Sequence, residues 1–375
     1  MPQYATELET PAAIVDLDRL ARNLDTMAAY CAVHELALRP HVKTHKAPRI
    51  AAEQMRLGAV GLTCATTQEL EVMSTVSADL LLAHPPVGIP KIHRALSIDR
   101  EVALSFALDN VEVAIPLANV ARDAARPVGV LVEVDLGMHR VGVQTPADAV
   151  RLAREISDLG GLRYDGILFY PGHIREPQEQ RQDALLHELA EDLGQVIQAL
   201  AGADLGPRVV SGGSTPIGWR IHEVPGITEV RPGTYVYNDR TTAALGACDW
   251  EDCALTVLAT VVSVAVPGQA VIDAGSKALG REPLPGESAS LGGYGALEDR
   301  PEVIVTRLSE EHGILDLSAS DWRPSIGDQV RVVPNHVCYV VNLFDTIFGM
   351  RDTVVETHWP VTARGRDGNR PVWSR

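Results

Sequence analysis

The chain has 375 residues, a hydrophobic content of 46% and a formal net charge of −16. This charge argues against a nucleic-acid or anionic-membrane partner, because both are bound through clustered Lys and Arg side chains, and the composition is typical of a globular protein. The five cysteines are scattered, residues 1–10 hold no signal-like apolar run and no apolar segment is long enough to span a bilayer, so we expect a cytoplasmic protein.

Strand-like and helix-like segments alternate over the first two thirds of the chain, after a short strand at residues 11–16 and a helix at 17–34. Such alternation predicts parallel β/α units of the α/β class, and eight strands predict a closed, TIM-like (β/α)8 barrel. The strand-like segments are residues 38–46, 61–66, 79–84, 101–109, 128–135, 164–170, 208–211 and 229–237. The helix-like segments between them include residues 48–57, 67–77, 111–125, 146–159 and 177–201.

The pattern changes near Cys253, where short strands separated by turns replace the alternation. This change predicts a C-terminal all-β domain. We expect the barrel over residues 11–247 and the β domain over residues 248–375, with the first strand, 11–16, as a possible partner of the β domain. The predicted strands of that domain are residues 255–265, 270–273, 303–308, 313–317, 329–333 and 345–359.

The first strand-like segment of the barrel, residues 38–46, carries an unusual set of basic side chains. In strand geometry residues two apart share a face, so His41, Lys43 and His45 are expected to point the same way. A lysine among other cationic groups has its charged form disfavoured, which makes its amine available as a nucleophile toward a carbonyl. The alternative is a strand edge with solvated charges.

Two glycine-containing loops follow late strands of the predicted barrel. They are residues 211–215, Ser-Gly-Gly-Ser-Thr, and residues 231–234, Arg-Pro-Gly-Thr. Glycine lets backbone N–H groups approach an anion, hydroxyl groups add further donors, and late barrel strands are a frequent phosphate site. Adjacent loops of this kind favour a phosphate group over a pair of simple glycine turns.

Further polar side chains come at strand ends, where barrel enzymes carry their chemistry. Arg140 is suited to hydrogen-bond a cofactor's ring nitrogen or phenolate oxygen, or else to pair with Glu133 or Asp135. Tyr170 offers a ring with a hydroxyl group. His173 is a candidate general base because its ordinary pKa lies near neutrality, although a histidine can equally be a structural hydrogen-bonding group.

In the predicted β domain, His336 and Cys338 stand two residues apart after a strand. On a continued strand they share a face, and imidazole with thiolate is a ligand pair suited to zinc. Two protein ligands would leave the open positions that metal catalysis requires. A purely structural pair is the alternative.

In their order along the chain, these motifs resemble the D-threonine aldolases and eukaryotic-type D-serine dehydratases, which are alanine-racemase-like, fold-type III pyridoxal-phosphate enzymes. The resemblance rests on residues 39–46, 137–142, 211–216, 232–235 and 334–338. It implies that Lys43, rather than Lys46, carries the cofactor, that Arg140 contacts its ring and that Tyr170 lies beside it. It also implies a phosphate site at Ser214, Thr215, Gly233 and Thr234, and a divalent metal, Zn²⁺ or Mn²⁺, on His336 and Cys338.

The resemblance implies a lyase that acts on a D-β-hydroxy amino acid, with Lys43 as a catalytic residue, in an expected homodimer. His173 joins Lys43 as a catalytic candidate on its own chemistry alone. Retro-aldol cleavage of D-threonine to glycine and an aldehyde is the first hypothesis. Dehydration of D-serine or D-3-hydroxyaspartate to an α-keto acid and ammonia is the second, because the dehydratases carry Cys at position 338 whereas residues 341–345 look more like the aldolases. A racemase or a non-catalytic cofactor carrier would not need the two candidate metal ligands His336 and Cys338, which are called the metal pair below.

Overall fold

Two β-sheets organise the computed structural model, which describes residues 3–176, 179–284 and 292–365. In chain order, the strands are β1 (Gln3–Tyr4), β2 (Ala12–Asp16), β3 (Ala37–Leu38), β4 (Leu62–Cys64), β5 (Asp79–Leu82), β6 (Ala103–Leu108), β7 (Val128–Glu133), β8 (Leu162–Leu168), β9 (Val209–Gly212), β10 (Glu229–Val230), β11 (Leu255–Ser263), β12 (Gln269–Ile272), β13 (Gly295–Leu297), β14 (Val305–Leu308), β15 (Gly313–Asp316), β16 (Gln329–Pro334), β17 (Thr346–Arg351) and β18 (Val354–Pro360). The α-helices are α1 (Leu17–Val33), α2 (Pro48–Arg56), α3 (Thr67–Met73), α4 (Ile89–Leu96), α5 (Val111–Asp123), α6 (Pro146–Asp158), α7 (Glu179–Gly202), α8 (Arg240–Ala244), α9 (Ser276–Leu279) and α10 (Val337–Leu343).

The first sheet is an eight-stranded parallel barrel in the order β3-β10-β9-β8-β7-β6-β5-β4. A parallel bridge between His41 and Thr63 joins its two end strands, next to a 2.9 Å hydrogen bond from the Val60 N–H to the Leu38 carbonyl. Its eight strands correspond to the eight predicted segments. The predicted barrel followed by a β domain is therefore confirmed.

Alternate residues of the barrel strands pack into different cores. In β5, Leu80 belongs to the large core that includes the surrounding helices, whereas Leu81 forms a separate small cluster with Ala107, Leu131 and Leu168. Successive side chains of a strand point to opposite faces of the sheet, so the small cluster lies on the inner face. The upper rim of that inner face is where the candidate site lies.

Several helices begin at a side chain that accepts a hydrogen bond from the first turn. The Asp16 carboxylate accepts the N–H groups of Asp18 and Arg19 at 2.9 Å and so starts α1. Such caps stabilise a helix by about 1 kcal/mol. The predicted helix 177–201 corresponds to α7, and its residues 177 and 178 lie outside the described residues. None of the described helices has the length and apolar character of a membrane span. The other caps of this kind are Thr66 on α3, Asn110 on α5, Thr145 on α6 and Asp239 on α8.

The second sheet is mixed, with the path β1-β18-β17-β2-β11-β12-β15-β14, and β16 pairs with both β11 and β13. The early strand β2 lies between β11, to which it is antiparallel, and β17, to which it is parallel. The predicted single strand 345–359 is wrong: it is the hairpin β17–β18, which turns at Asp352 with φ +50°. Asp tolerates this left-handed conformation. The helices α9 and α10 also lie in this part of the chain.

The prediction of a continuous strand over residues 38–46 is wrong as well. Strand β3 ends at Leu38, and residues 42–44 form a 3₁₀ turn. His41 comes directly before this turn, and its Nδ1 accepts the Lys43 N–H at 3.4 Å. Pro40 has no N–H to extend the ladder. His41, Lys43 and His45 therefore do not share a strand face, and His45 is fully buried and accepts the Ala47 N–H at 3.2 Å.

Candidate active site

A cleft at the carboxyl ends of the barrel strands brings together residues from six separate parts of the sequence. Every residue that the sequence predicted for cofactor binding lines it: Lys43, Arg140, Tyr170, Ser214, Thr215, Gly233 and Thr234. The remaining lining residues are His41, Ala83, Glu133, Leu168, Gly213, Pro216 and Arg231.

Of the two lysines in the basic motif, only Lys43 lines the cleft. Its Nζ lies 5.7 Å from the ring centroid of Tyr170, and the Arg140 guanidinium carbon lies 5.0 Å from the same centroid. Lys46 instead donates a 2.5 Å hydrogen bond to the carboxylate of Glu69, which is fully buried. A lysine held in a buried ion pair is not available as a nucleophile, so the geometry favours Lys43 as the reactive amine.

The two glycine loops form a cradle that fits a phosphate group. The hydroxyl of Ser214 is buried and has no hydrogen-bond partner among the described residues, although buried polar groups are normally paired. A Cβ on Gly233 would lie 2.8 Å from the Thr44 hydroxyl and 3.1 Å from the His41 carbonyl oxygen, so a larger residue would crowd the Lys43 turn. With a lysine, an aromatic ring and a phosphate cradle in one cleft, the residues present fit pyridoxal phosphate.

Arg231 is a cleft residue that the sequence reasoning missed. It donates one hydrogen bond to the Phe169 carbonyl at 2.8 Å and another to the Ser211 hydroxyl, which itself donates to Glu229 at 2.6 Å. Burial lowers the pKa of Arg231 to about 10, against the opposing effect of Glu229. Its position at the start of the predicted phosphate loop, two residues before Gly233, was the available signal.

Glu133 is the second missed residue, since the sequence offered it only as a partner for Arg140. It is 4% exposed, and one of its carboxylate oxygens has no hydrogen-bond partner among the described residues. Burial raises its pKa, although the charges of Arg231 and Arg140 act in the other direction. It adds a second polar group without a protein partner to the lining of the cleft.

His173 follows Tyr170 in the chain but does not line the cleft. A Cβ on Gly137 would lie 2.8 Å from its Nε2, and its buried Nδ1 has no partner among the described residues. Burial lowers the pKa of His173, while the Asp135 carboxylate opposes that shift. A role for His173 as a general base stays a prediction.

His336 and Cys338 are close together, but not on a strand as predicted. Strand β16 ends at Pro334, His336 precedes α10, and Cys338 lies in the first turn of that helix. The sheet ladder ends there because the Asp239 carboxylate accepts the Val337 N–H at 3.1 Å. The buried residues Val337, Val340 and Val341 of α10 have helical spacing.

The pair lies against the Lys43 turn, since the Cys338 sulfur is 3.3 Å from the hydroxyl of Thr44. Burial alone would raise the pKa of Cys338, but His336 and Lys43 lower it to about 7. Burial would lower the pKa of His336, but the Cys338 and Asp239 charges raise it well above its usual range.

The chemistry of these donors fits a divalent metal with open coordination positions. Among the described residues there is no group of three or more His, Cys, Asp or Glu side chains that could hold a metal ion. His336 uses its Nδ1 toward Asp239 at 3.2 Å, which leaves Nε2 for a ligand bond beside the Cys338 sulfur. Two protein ligands are the number predicted from the sequence.

Comparisons with known proteins match nearly the whole chain. A family model of the alanine racemase N-terminal domain matches residues 15–241, and a model described as a putative serine dehydratase domain matches residues 254–350. The D-threo-3-hydroxyaspartate dehydratase of Delftia sp. (strain HT23) is 34% identical over 347 residues, which are 88% of this chain and 91% of that protein.

Solved structures agree with these matches. The D-threonine aldolase from Filomicrobium marinum superposes with a TM-score of 0.87 at 33% identity and covers 97% of this chain and 98% of its own. A cysteine-to-alanine mutant of a D-threo-3-hydroxyaspartate dehydratase, described as a metal-free form, superposes with a TM-score of 0.86 at 32% identity and covers 96% and 98%. The chain is thus similar in sequence and fold both to an aldolase and to a dehydratase.

Proposed function

The chain belongs to the alanine-racemase-like pyridoxal-phosphate lyases that include the D-threonine aldolases and the D-serine-dehydratase-like enzymes, and from this premise we propose that it acts on D-β-hydroxy amino acids. Retro-aldol cleavage of D-threonine or a similar substrate to glycine and an aldehyde is the favoured reaction. The observation that carries the proposal is the contact between Thr44, next to Lys43, and Cys338, because it supports a metal held near the proposed cofactor lysine.

The cleft residues divide the work of holding the cofactor. Lys43 would bind it covalently, Arg140 and Arg231 would face its ring, and the loops at Ser214 and Gly233 would hold its phosphate. When bound, pyridoxal phosphate supplies an electron sink for whichever bond at the substrate Cα breaks. Lys43 would regain a free amine once the substrate's amino group had replaced it on the cofactor, and that amine could then accept a proton from the substrate.

His336 and Cys338 lie against the Lys43 turn, outside the cleft lining, and support the same reaction from there. His336 and Cys338 would hold a zinc or manganese ion, which supplies a Lewis acid for the substrate's β-hydroxyl group. We assign His173 as the candidate base for the hydroxyl proton. His173 packs against Gly137 and does not line the cleft. The hydroxyl proton would therefore reach it after a small rearrangement of the site or through a bridging water molecule.

Dehydration to an α-keto acid and ammonia is the alternative reaction. Cys338 favours it, because it is the residue expected in the dehydratases, whereas residues 341–345 favour the aldolases. Both reactions use the same lysine, cofactor and metal pair. They differ in which substrate bond is held perpendicular to the cofactor ring.

The product distinguishes the two reactions. The purified protein, loaded with pyridoxal phosphate and either zinc or manganese, is incubated with D-threonine, D-serine or D-3-hydroxyaspartate. Glycine with an aldehyde supports the aldolase, and α-keto acid with ammonia supports the dehydratase. The His336→Ala variant is the control and should lose nearly all turnover in either case, whereas turnover in that variant would contradict a metal-assisted lyase.

Three further proposals concern the whole protein. We propose a barrel over residues 11–247 and a β domain over 248–375; residues 177–178, 285–291 and 366–375 lie outside the described part. We also propose a homodimer, as the family resemblance implies. A cytoplasmic location is supported by the five cysteines, which are all free thiols.

A further inference from the structure

We infer that Asp239 is a positioning residue that sets the orientation of the metal ligand His336, an inference that rests on the metal site of the proposed function. The Asp239 carboxylate is fully buried, and its Oδ2 lies 3.2 Å from the Nδ1 of His336. The His336 side chain keeps 31% exposure, so a solvent-borne ion can reach it, whereas it cannot reach Asp239.

Asp239 is itself held at both carboxylate oxygens. Its Oδ1 accepts the Thr242 N–H at 2.8 Å as the cap of α8, and its Oδ2 also accepts the Val337 N–H at 3.1 Å. The Thr242 hydroxyl accepts the Asp239 N–H at 2.7 Å. A carboxylate with this many fixed donors cannot swing, so it can impose one ring orientation on His336.

The residues next to Asp239 hold the backbone before His336 in the same way. The hydroxyl of Thr241 donates to the Asn335 carbonyl at 2.6 Å, and the Arg240 guanidinium donates to the Asn335 side-chain oxygen at 3.2 Å. Asn335 is only 1% exposed. Residues 239–242, at the start of α8, therefore clamp residues 335–337, which follow β16. The position of the metal pair depends on the contact between these two segments.

The chemical consequence concerns the tautomer of His336. A carboxylate only accepts hydrogen bonds, so Asp239 requires the proton of a neutral His336 to lie on Nδ1 and leaves the Nε2 lone pair for the ion. Partners of this kind orient metal-bound histidines, and their loss typically weakens metal binding 10- to 100-fold. An Asn at position 239 keeps the size but offers an N–H₂ group as a donor, which favours the opposite tautomer.

The test measures zinc affinity by competition with a chromophoric chelator, on protein loaded with pyridoxal phosphate. Asp239→Asn should bind zinc about 10- to 100-fold more weakly than the wild type. Asp16→Asn is the matched control, because it changes another helix-capping carboxylate, whose hydrogen bonds go to Asp18 and Arg19 of α1, and it should bind zinc like the wild type. Equal affinity in Asp239→Asn and the wild type would overturn the inference.

Substitution of cobalt for zinc adds a spectroscopic readout, the absorption bands of the bound ion, which a general loss of stability would not change. The sulfur-to-cobalt charge-transfer band reports Cys338, and the d–d bands report the coordination of the ion. Asp239→Asn should keep the first band at saturating cobalt and change the second. Unchanged d–d bands would contradict a positioning role.

Two results separate this inference from the proposed function. Wild-type protein that binds no zinc would overturn the metal site itself and the inference with it, whereas zinc binding that is lost in His336→Ala but unchanged in Asp239→Asn would overturn the inference alone. If Asp239→Asn does not fold, histidine-labelled, zinc-loaded wild type replaces it. A protected Nδ1–H resonance that disappears in His336→Ala supports the inference, and zinc on Nδ1 contradicts it.

Discussion

Lys43 and Lys46 show how much of a residue's role is set by its neighbours. Both stand in one basic motif, but the 3₁₀ turn sends Lys43 into the cleft, while Lys46, with φ +51°, turns back to the buried Glu69. The resemblance to a family pointed to Lys43, and the cleft geometry favours the same lysine. The reason that the other lysine is unsuitable lies in a side chain that no local pattern connects to it.

At the same scale, the pH dependence tests His173. Burial lowers its pKa, so the imidazole stays neutral, and able to accept a proton, below the ordinary value of about 6.5. If it is the base, the acid limb of kcat/KM should lie below pH 6.5 or so, and His173→Asn should lose that limb together with about 10²- to 10⁴-fold in rate. An unchanged limb in the variant would assign the base to another group.

A second prediction at the residue scale concerns the effect of Gly233→Ala on turnover and cofactor affinity. Gly233→Ala would place a Cβ 2.8 Å from the Thr44 hydroxyl, and the displaced turn carries Lys43. Because misplacing a reacting group by about 1 Å can cost 10²-fold, turnover should fall by about that factor and the affinity for pyridoxal phosphate should fall with it. Gly194→Ala is the control, since its Cβ would meet nothing within 4 Å. Equal losses in both variants would contradict the steric argument.

At the scale of elements, a polar network that is partly exposed at Asp79 connects three barrel strands beneath the cleft. Arg39, after β3, donates at 2.7 Å to Glu229 of β10 and at 2.7 Å to Asp79 of β5, and Glu229 accepts the Ser211 hydroxyl of β9. Ser211 in turn holds Arg231 in the cleft lining. The network therefore joins the stability of the barrel to the shape of the site.

Removing one charge from this network should destabilise the barrel. Glu229→Gln leaves Arg39 buried with one carboxylate fewer, which should lower the free energy of unfolding by about 3 kcal/mol in urea titrations. The exposed pair of Glu53 and Arg56 on α2 is the matched control, and Glu53→Gln should change stability by less than the error of the measurement. A similar effect of both variants would mean that the network contributes no more than a surface pair.

The elements also show where sequence patterns are sufficient. The barrel strands follow from apolar runs that end in polar residues, and α1, α5 and α6 begin where Asp16, Asn110 and Thr145 cap them. Residues 337–343 are rich in valine and look like a strand, yet they form α10, and the N–H of its first residue, Val337, is bound by Asp239. The local pattern does not contain this contact, because its two residues are far apart in the chain.

For the whole molecule, strand β2 joins the beginning of the chain to its end. It pairs with β11 and β17, and α1 then carries the chain to the barrel, so the second sheet is built from both ends of the chain, on either side of the continuous barrel segment. We expect the two sheets to unfold together. Far-UV circular dichroism, dominated by the barrel helices, and the fluorescence of Trp322 and Trp359 should give the same urea midpoint. Two separate midpoints would show that the sheets are independent.

The overall site was predictable as a set of residues but not as an arrangement. The motifs identified Lys43 and the phosphate loops, because each loop carries its own glycines and hydroxyls. Arg231 and Glu133 were missed as site residues because a single arginine or glutamate at a strand end has no distinctive pattern. Their role in the cleft follows only from the closed barrel, which brings β7 and β10 to one rim.

The clamp between residues 239–242 and 335–337 has a consequence for how the protein matures. Every predicted cofactor-binding residue precedes Asp239 in the chain, whereas His336 and Cys338 are synthesised nearly a hundred residues later. The metal pair is in place only after the last sheet has packed on the barrel. Since chains emerge from the ribosome N-terminus first, uptake of the proposed ion would follow synthesis of the whole barrel, and cells short of the metal would accumulate complete protein that lacks it.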